Sequence, residues 1–211
     1  MVTKIKRTLC RKCRRAEYSD GVCPIKTECL DNPKLNLGSG ISPKEKYINF
    51  DAHIYSGIQG WDKHLQTDMT GMIEDIITIF PPDFFAETLS SHVIEHFFFE
   101  DALTFLKNQM VLLRPGGKIV VEGPCILGSY RWYREDKDGP KDTIGIRALI
   151  ETLYPYHIRL EFGPLMAHKS GWTGKVLAEE MIKLGFIIIH IGEGQLQGRG
   201  WHDFRVEGLK P

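Results

Sequence analysis

Lys34-Leu35-Asn36-Leu37-Gly38-Ser39-Gly40 is a short strand-like run that breaks into Gly-x-Gly. Glycine at such a turn lets the backbone bend sharply, and it lets a ligand lie against the chain with no Cβ in the way. Gly-x-Gly alone is equally a tight strand-to-loop turn. The residues that follow narrow the choice. Residues 47–51 read as a second strand ending in Asp51, 13 residues after Gly38, and 64–68 read as a weak third strand ending in Asp68. In an open α/β sheet the carboxyl ends of the strands lie along one crevice. An acid ending the second strand is placed to accept hydrogen bonds from both ribose hydroxyls of an adenosine ligand. An acid after the third can accept from the adenine amino group, with Met69 packing on the ring. Either aspartate taken singly is also a solvated turn residue. The register of glycine, acid and acid at successive strand ends favours a nucleoside crevice.

The rest of the chain continues an alternation of strand and helix. Residues 72–80 form a short helix stopped by Pro81-Pro82, and 88–92 a fourth strand. The clearest helix is 99–113, with Ala102, Leu103, Leu106, Met110 and Leu113 on one face at spacings of three and four. Arg114-Pro115-Gly116-Gly117 ends it, and 118–122 is a fifth strand. Between 125 and 171 we expect an aromatic and charged loop (Tyr130, Trp132, Tyr133, Arg134) and a short helix near 146–153. A helix at 172–184, a strand at 186–191 and a last strand at 203–209 complete the pattern. The link 192–200 between these strands holds no helix, and such a connection suits only an antiparallel pair. The expected fold is α/β: a Rossmann-like, mostly parallel twisted sheet with one antiparallel strand near the C-terminus, plus a small Cys-rich N-terminal segment.

Composition sets the limits on function. The 211 residues are 42% hydrophobic and 26% charged, a folded-protein profile that suits one α/β domain with a small appendage. Lys plus Arg and Asp plus Glu balance at 27 each, so whole-chain charge names no partner. The charge is uneven, however: the first 30 residues hold eight bases against three acids, leaving −5 for the remainder. Apolar runs are strand-sized, against the ~20 residues of a spanning helix, so no membrane association is expected. The N-terminal residues show no apolar signal core, which points to the cytoplasm and to reduced thiols.

Residues 1–33 read as a separate basic, Cys-rich segment, with 34–211 as the main domain and Asp31-Asn32-Pro33 as the boundary turn. Cys10-x-x-Cys13, Cys23 and Cys29 place four of the five cysteines within twenty residues. Four thiolates in this spacing suit a closed tetrahedral zinc site, and a metal would explain how a mostly polar segment folds. The alternative is a tail of scattered reduced thiols. The basic residues also permit contact with a nucleic-acid backbone, although they show no base-reading pattern.

Several segments together resemble one family. Leu35 to Gly40 is similar to the first motif of class I S-adenosylmethionine (SAM) dependent methyltransferases. Ser90-Ser91-His92-Val93-Ile94-Glu95-His96 resembles the segment those enzymes carry at the end of strand four. Leu112-Leu113-Arg114-Pro115-Gly116-Gly117-Lys118 resembles their turn into strand five. The helix and Gly-Phe at Leu177 to Phe186 are similar to the "type 11" group. The resemblance implies that Gly38, Ser39 and Gly40 sit under the methionine part of SAM, that Asp51 holds the ribose and that Asp68 and Met69 frame the adenine. It also implies that Ser91 and His92 line the point where donor and acceptor meet. His92 is then the first candidate for a general base, worth typically ~10²–10⁴-fold; otherwise it is a structural hydrogen-bonding residue. Tyr130 to Arg134 and His168-Lys169-Ser170-Gly171-Trp172 fall where acceptor pockets are built, or else form a packed lid.

One departure from the family stands out. Only six residues, Ile41 to Lys46 with Pro43 among them, lie between the turn and the second strand, so the usual helix is shortened or absent. A more open cofactor site on that side is expected. A dinucleotide enzyme would need that helix N-terminus for its pyrophosphate and a third glycine where Pro43 stands, which ranks an oxidoreductase last. The competing class is a non-catalytic, zinc-stabilised nucleic-acid or protein-binding module on a Rossmann-like scaffold.

Overall fold

The computed structural model describes residues 9–10, 15–16, 32–40, 42–52, 67–135, 167–196 and 202–211. Near the N-terminus, β1 (Leu9–Cys10) and β2 (Arg15–Ala16) pair antiparallel, with Cys10 opposite Arg15. The main sheet comprises β3 (Lys34–Leu37), β4 (Ile48–Asp51), β5 (Met69–Thr70), β6 (Phe85–Ser91), β7 (Leu113–Pro124), β8 (Ile187–Glu193) and β9 (Asp203–Leu209). Its order is β5-β4-β3-β6-β7-β9-β8. All pairings from β5 to β7 are parallel, and β9 runs antiparallel to both β7 and β8. The mostly parallel sheet with one reversed strand is therefore as expected. The order turns back at β3, whose neighbours are β4 on one side and β6 on the other. That reversal opens the crevice at the carboxyl ends of β3, β4 and β6, where ligands bind in sheets of this kind.

Helices α1 (Ile76–Ile79), α2 (Phe99–Leu112), α3 (Ile126–Glu135) and α4 (Gly174–Lys183) accompany the sheet. Ala102, Phe105, Leu106 and Leu112 of α2 join Leu177, Ala178 and Met181 of α4 in one core with Leu35, Leu37, Ile119, Val121 and Val206. Full burial of each large side chain contributes roughly 1.5–3 kcal/mol. Phe85 anchors one end, edge-on to both Phe80 and Phe84 at 4.9 Å.

Several boundaries differ from the sequence reading, each for a local reason. The third strand is Met69–Thr70, so Asp68 precedes it instead of ending it. The helix 72–80 is a 3₁₀ turn, Ile73–Asp75, running into α1. Helix α2 stops at Leu112 because Leu113 already pairs with Phe85 across the sheet. Lys118 pairs with Glu87, so residues 114–117 form a wide bulge in β7, with Gly116 at φ +73°. The buried stripe of α2 is rotated toward Phe105, Gln109 and Leu112, leaving Leu103 and Met110 at its margin. The aromatic stretch 130–134 is not a loop but the body of α3. Cys125 starts that helix, its carbonyl accepting from Ser129 N–H at 2.8 Å and its Sγ from Gly128 N–H at 3.4 Å. The helix expected near 146–153 lies outside the described residues.

No helix is found among the described residues between β3 and β4. Asn49 takes over the capping there. Its Oδ1 accepts from Lys44 N–H (2.7 Å) and from Asn36 Nδ2 (2.9 Å), while its Nδ2 donates to the Lys44 and Tyr47 carbonyls and to Asp68. Asn36 and Asn49 are cross-strand partners, so two buried amides close the short link.

Candidate functional site

The Gly-rich turn leaves β3 with Gly38 at φ +66° and Gly40 at φ +47°, left-handed conformations that favour glycine. A Cβ on Gly38 would stand 2.3 Å from Val93 Cγ2, so the turn lies directly against the segment that follows β6. A Cβ on Gly40 would meet nothing within 4 Å. Gly38 and Ser39 both donate to the Phe50 carbonyl, at 2.9 and 3.1 Å, and Gly40 N–H donates to Asp51 Oδ2 at 2.7 Å. The buried Asp51 carboxylate is thus fixed at the end of β4, beside the turn. Asp68 Oδ2 accepts from Asn49 N–H and Nδ2, which ties Asp68 to β4. Met69 is buried in the core beside Phe50, its partner across the β4–β5 pair.

The hydroxyls of Ser39 and Ser91 are buried, with no hydrogen-bond partner among the described residues. Buried hydroxyls without partners are uncommon in folded proteins and call for an explanation. A polar ligand in the crevice would provide one. With an anchored acid and a turn open at Gly40, these groups fit the adenosyl and methionine parts of SAM.

His92 directly follows β6 at φ +56°, a conformation uncommon outside glycine and found at functional sites. Its N–H donates to the Glu122 carbonyl at 3.0 Å. Both ring nitrogens face carboxylates: Nε2 lies 3.0 Å from Asp203 Oδ2 and Nδ1 3.4 Å from Glu95 Oε1. Burial pulls His92 toward the neutral form, but Asp203 and Glu95 outweigh it and push its pKa up to about 10. Burial likewise opposes the charge on Glu95, yet His92, with His96 and His168 nearby, holds its pKa down to about 2.

The sequence puts Glu95 and His96 three and four residues after His92, and they lie in the 3₁₀ turn Ile94–His96. What sequence reasoning missed is how residues 167–172 are fastened to that turn. Lys169 and Ser170 N–H both donate to the Glu95 carbonyl, at 2.7 and 3.2 Å. Ser170 Oγ donates to the Ile94 carbonyl and in turn accepts from the Trp172 indole at 2.8 Å. Trp172 is buried and stacks on Phe99 at 5.1 Å, which makes it a packing residue. Also missed was Glu122, fully buried, which accepts from Arg205 Nη1 (2.6 Å) and from Gln195 and Leu196 N–H. Its position opposite Arg205 in the β7–β9 pair becomes visible only once the strands are aligned.

Of the zinc candidates, only the backbone of Cys10 is described; Cys13, Cys23 and Cys29 lie outside the described residues. Cys125, the fifth cysteine, is free and partly buried.

Known structures share this architecture. A SAM-dependent methyltransferase from Mesorhizobium loti superposes with TM-score 0.52 at 17% identity, covering 84% of this chain and 90% of that one. One from Archaeoglobus fulgidus gives TM-score 0.52 at 13% identity over 85% and 86% of the two chains. A chain solved in the complex of the Haloferax volcanii Trm112 methyltransferase activator gives TM-score 0.51 at 13% identity over 85% and 83%. No protein-family model matches the sequence, and no curated protein matches it. At these identities the likeness establishes the fold: the chain has the Rossmann-like fold of SAM-dependent methyltransferases.

Proposed function

We propose that this chain transfers a methyl group from SAM to an acceptor. The observation that carries the reading is the Gly38–Gly40 turn locked by its own N–H to Asp51, at the reversal point of a methyltransferase-ordered sheet. Gly38, Ser39 and Gly40 pass under the methionine part, Asp51 holds the ribose, and Asp68 and Met69 border the adenine. When bound, SAM supplies an electrophilic methyl group on a sulfonium. The protein supplies alignment and exclusion of water, and near-attack positioning is worth up to ~7–11 kcal/mol.

The deciding experiment is calorimetric titration with S-adenosylhomocysteine, the demethylated product. Submillimolar or tighter binding is expected, and Asp51→Ala should weaken it by about 10- to 100-fold, as loss of a charged hydrogen bond of ~1.5–3 kcal/mol requires. No binding to the wild type would end the proposal.

His92 and Ser91 stand where donor and acceptor would meet. The base role expected for His92 needs a ring nitrogen free to accept a proton, and both nitrogens are already engaged by Asp203 and Glu95. The geometry supports a ring that positions and donates. His92→Ala should therefore lower kcat well beyond any change in product affinity, with any acceptor the wild type methylates. Equal turnover in the variant would exclude it from the reaction.

We also propose that residues 1–33 form a distinct unit in which Cys10, Cys13, Cys23 and Cys29 bind structural zinc. The β1–β2 pair, which brackets Cys13 in sequence, supports a knuckle. Cobalt(II) substituted there should show intense thiolate charge-transfer absorption; reduced protein lacking it would rule the site out. Reduced thiols of this kind would suit the cytoplasm, where we propose that the protein works. Among the described residues no helix is long and apolar enough to cross a membrane.

A further inference from the structure

We propose that Glu95, His96 and His168 bind one divalent first-row transition cation (Mn²⁺, Fe²⁺, Co²⁺ or Zn²⁺) beside the methyl-transfer site. One ligand atom from each lies within 4.8 Å of the others. Donors sit about 2.0–2.2 Å from such an ion, and hence roughly 3–4 Å apart around it, so side-chain rotation of an ångström or less closes the set.

Three further observations support a ligand here. First, Glu95 is 1% exposed; its Oε1 faces the His92 ring, and its Oε2 has no hydrogen-bond partner among the described residues. Its Oε1 lies 3.4 Å from His92 Nδ1 and 3.9 Å from His168 Nε2. Burying a carboxylate removes several kcal/mol of hydration, and a cation on the open Oε2 would add to the return that the surrounding imidazoles give. Second, one ring nitrogen of His96 has a backbone partner. Its Nδ1 lies 3.4 Å from the Ala167 carbonyl oxygen, and a proton held there would leave Nε2 as the nitrogen for a cation, as in metal-bound histidines. Third, the frame is built. The backbone bonds from Lys169 and Ser170 to Glu95 hold His168 against the turn, and the His96 and His168 rings meet edge-on at 5.1 Å.

Two imidazoles and one carboxylate favour a transition cation over Mg²⁺, which prefers oxygen, and they leave coordination positions open. Water fills those positions, or an oxygen of the acceptor does. That use in catalysis rests on the methyltransferase reading, whereas the binding itself does not. Val93, two residues before Glu95, packs on Gly38, so the cation lies next to the cofactor turn.

Cobalt(II) titration of the reduced full-length protein tests the site by visible absorption. After the thiolate bands saturate, weak d–d bands of nitrogen and oxygen coordination should grow in to one further equivalent. His168→Ala and Glu95→Gln should each weaken this phase at least tenfold. Titration with S-adenosylhomocysteine, run in parallel, shows that the variants keep their fold. If Glu95→Gln unfolds, His168→Asn takes its place. Absence of the second phase, or a phase unchanged in both histidine variants (His96→Ala and His168→Ala), overturns the proposal. Product binding without the second phase defeats the cation site alone; the second phase without product binding defeats the methyltransferase reading alone.

Discussion

At the scale of single residues, the turn after β3 shows why glycine is required there. An alanine at position 38 would adopt a left-handed φ, unfavourable by about 1–2 kcal/mol, and press its Cβ on Val93, adding roughly 1–3 kcal/mol. Gly38→Ala should lower Tm by several degrees in a thermal melt and abolish product binding; an unchanged Tm would contradict the packing described. Gly38, Asp51 and His92 could all be picked out from the sequence because each follows an apolar run that had to be a strand. The partners of His92 could not. Asp203 lies 111 residues away and meets the ring only because β9 inserts beside β7.

At the scale of elements, helix α2 shows where periodicity succeeds and where it stops. The spacing of Ala102 and Leu106 locates the helix, but apolarity alone draws the stripe through Leu103 and Met110. The buried positions include Gln109 instead. Its amide is enclosed with neither atom hydrogen-bonded among the described residues. An orphaned buried polar group is unfavourable by ~1–3 kcal/mol, so Gln109→Met should raise the stability of the protein, as read from the denaturant midpoint. A loss of stability would mean that the amide has a partner. Helix α3 escapes the sequence for a related reason: its aromatic and charged residues resemble a loop in composition, while the feature that starts it, the Cys125 carbonyl and sulfur, has no sequence signature.

Across the whole molecule, charges link the strands in a row that alternation along any one strand does not reveal. Lys34, Glu87, Lys118 and Glu207 are joined by ion pairs of 3.3–3.5 Å, and Arg205 continues the row to Glu207 and Glu122 at 2.6 Å each. Burial raises the pKa of Glu207, but Arg205 and Lys118 more than reverse that and hold it below its usual 4.5. Stability from this group is complete above 4.5 and is lost as pH falls through the lowered value. Glu207→Gln should therefore flatten the acid side of the stability profile relative to the wild type; parallel acid limbs would show that the row contributes nothing. The sheet order itself is foreseeable in outline, since seven strand-like runs and one short connection leave few arrangements.

The stretch that leaves the sheet after β7 and returns before α4 is fastened at its base. Cys125 bridges Trp172, Ile126 N–H donates to the Trp172 carbonyl at 3.0 Å, and the indole is clamped between Ser170 and Phe99. Whatever hangs from such a clasp can lengthen, shrink or be exchanged as a cassette without disturbing the strands beneath. On the methyltransferase proposal, a change of acceptor would then call for a change in that segment alone.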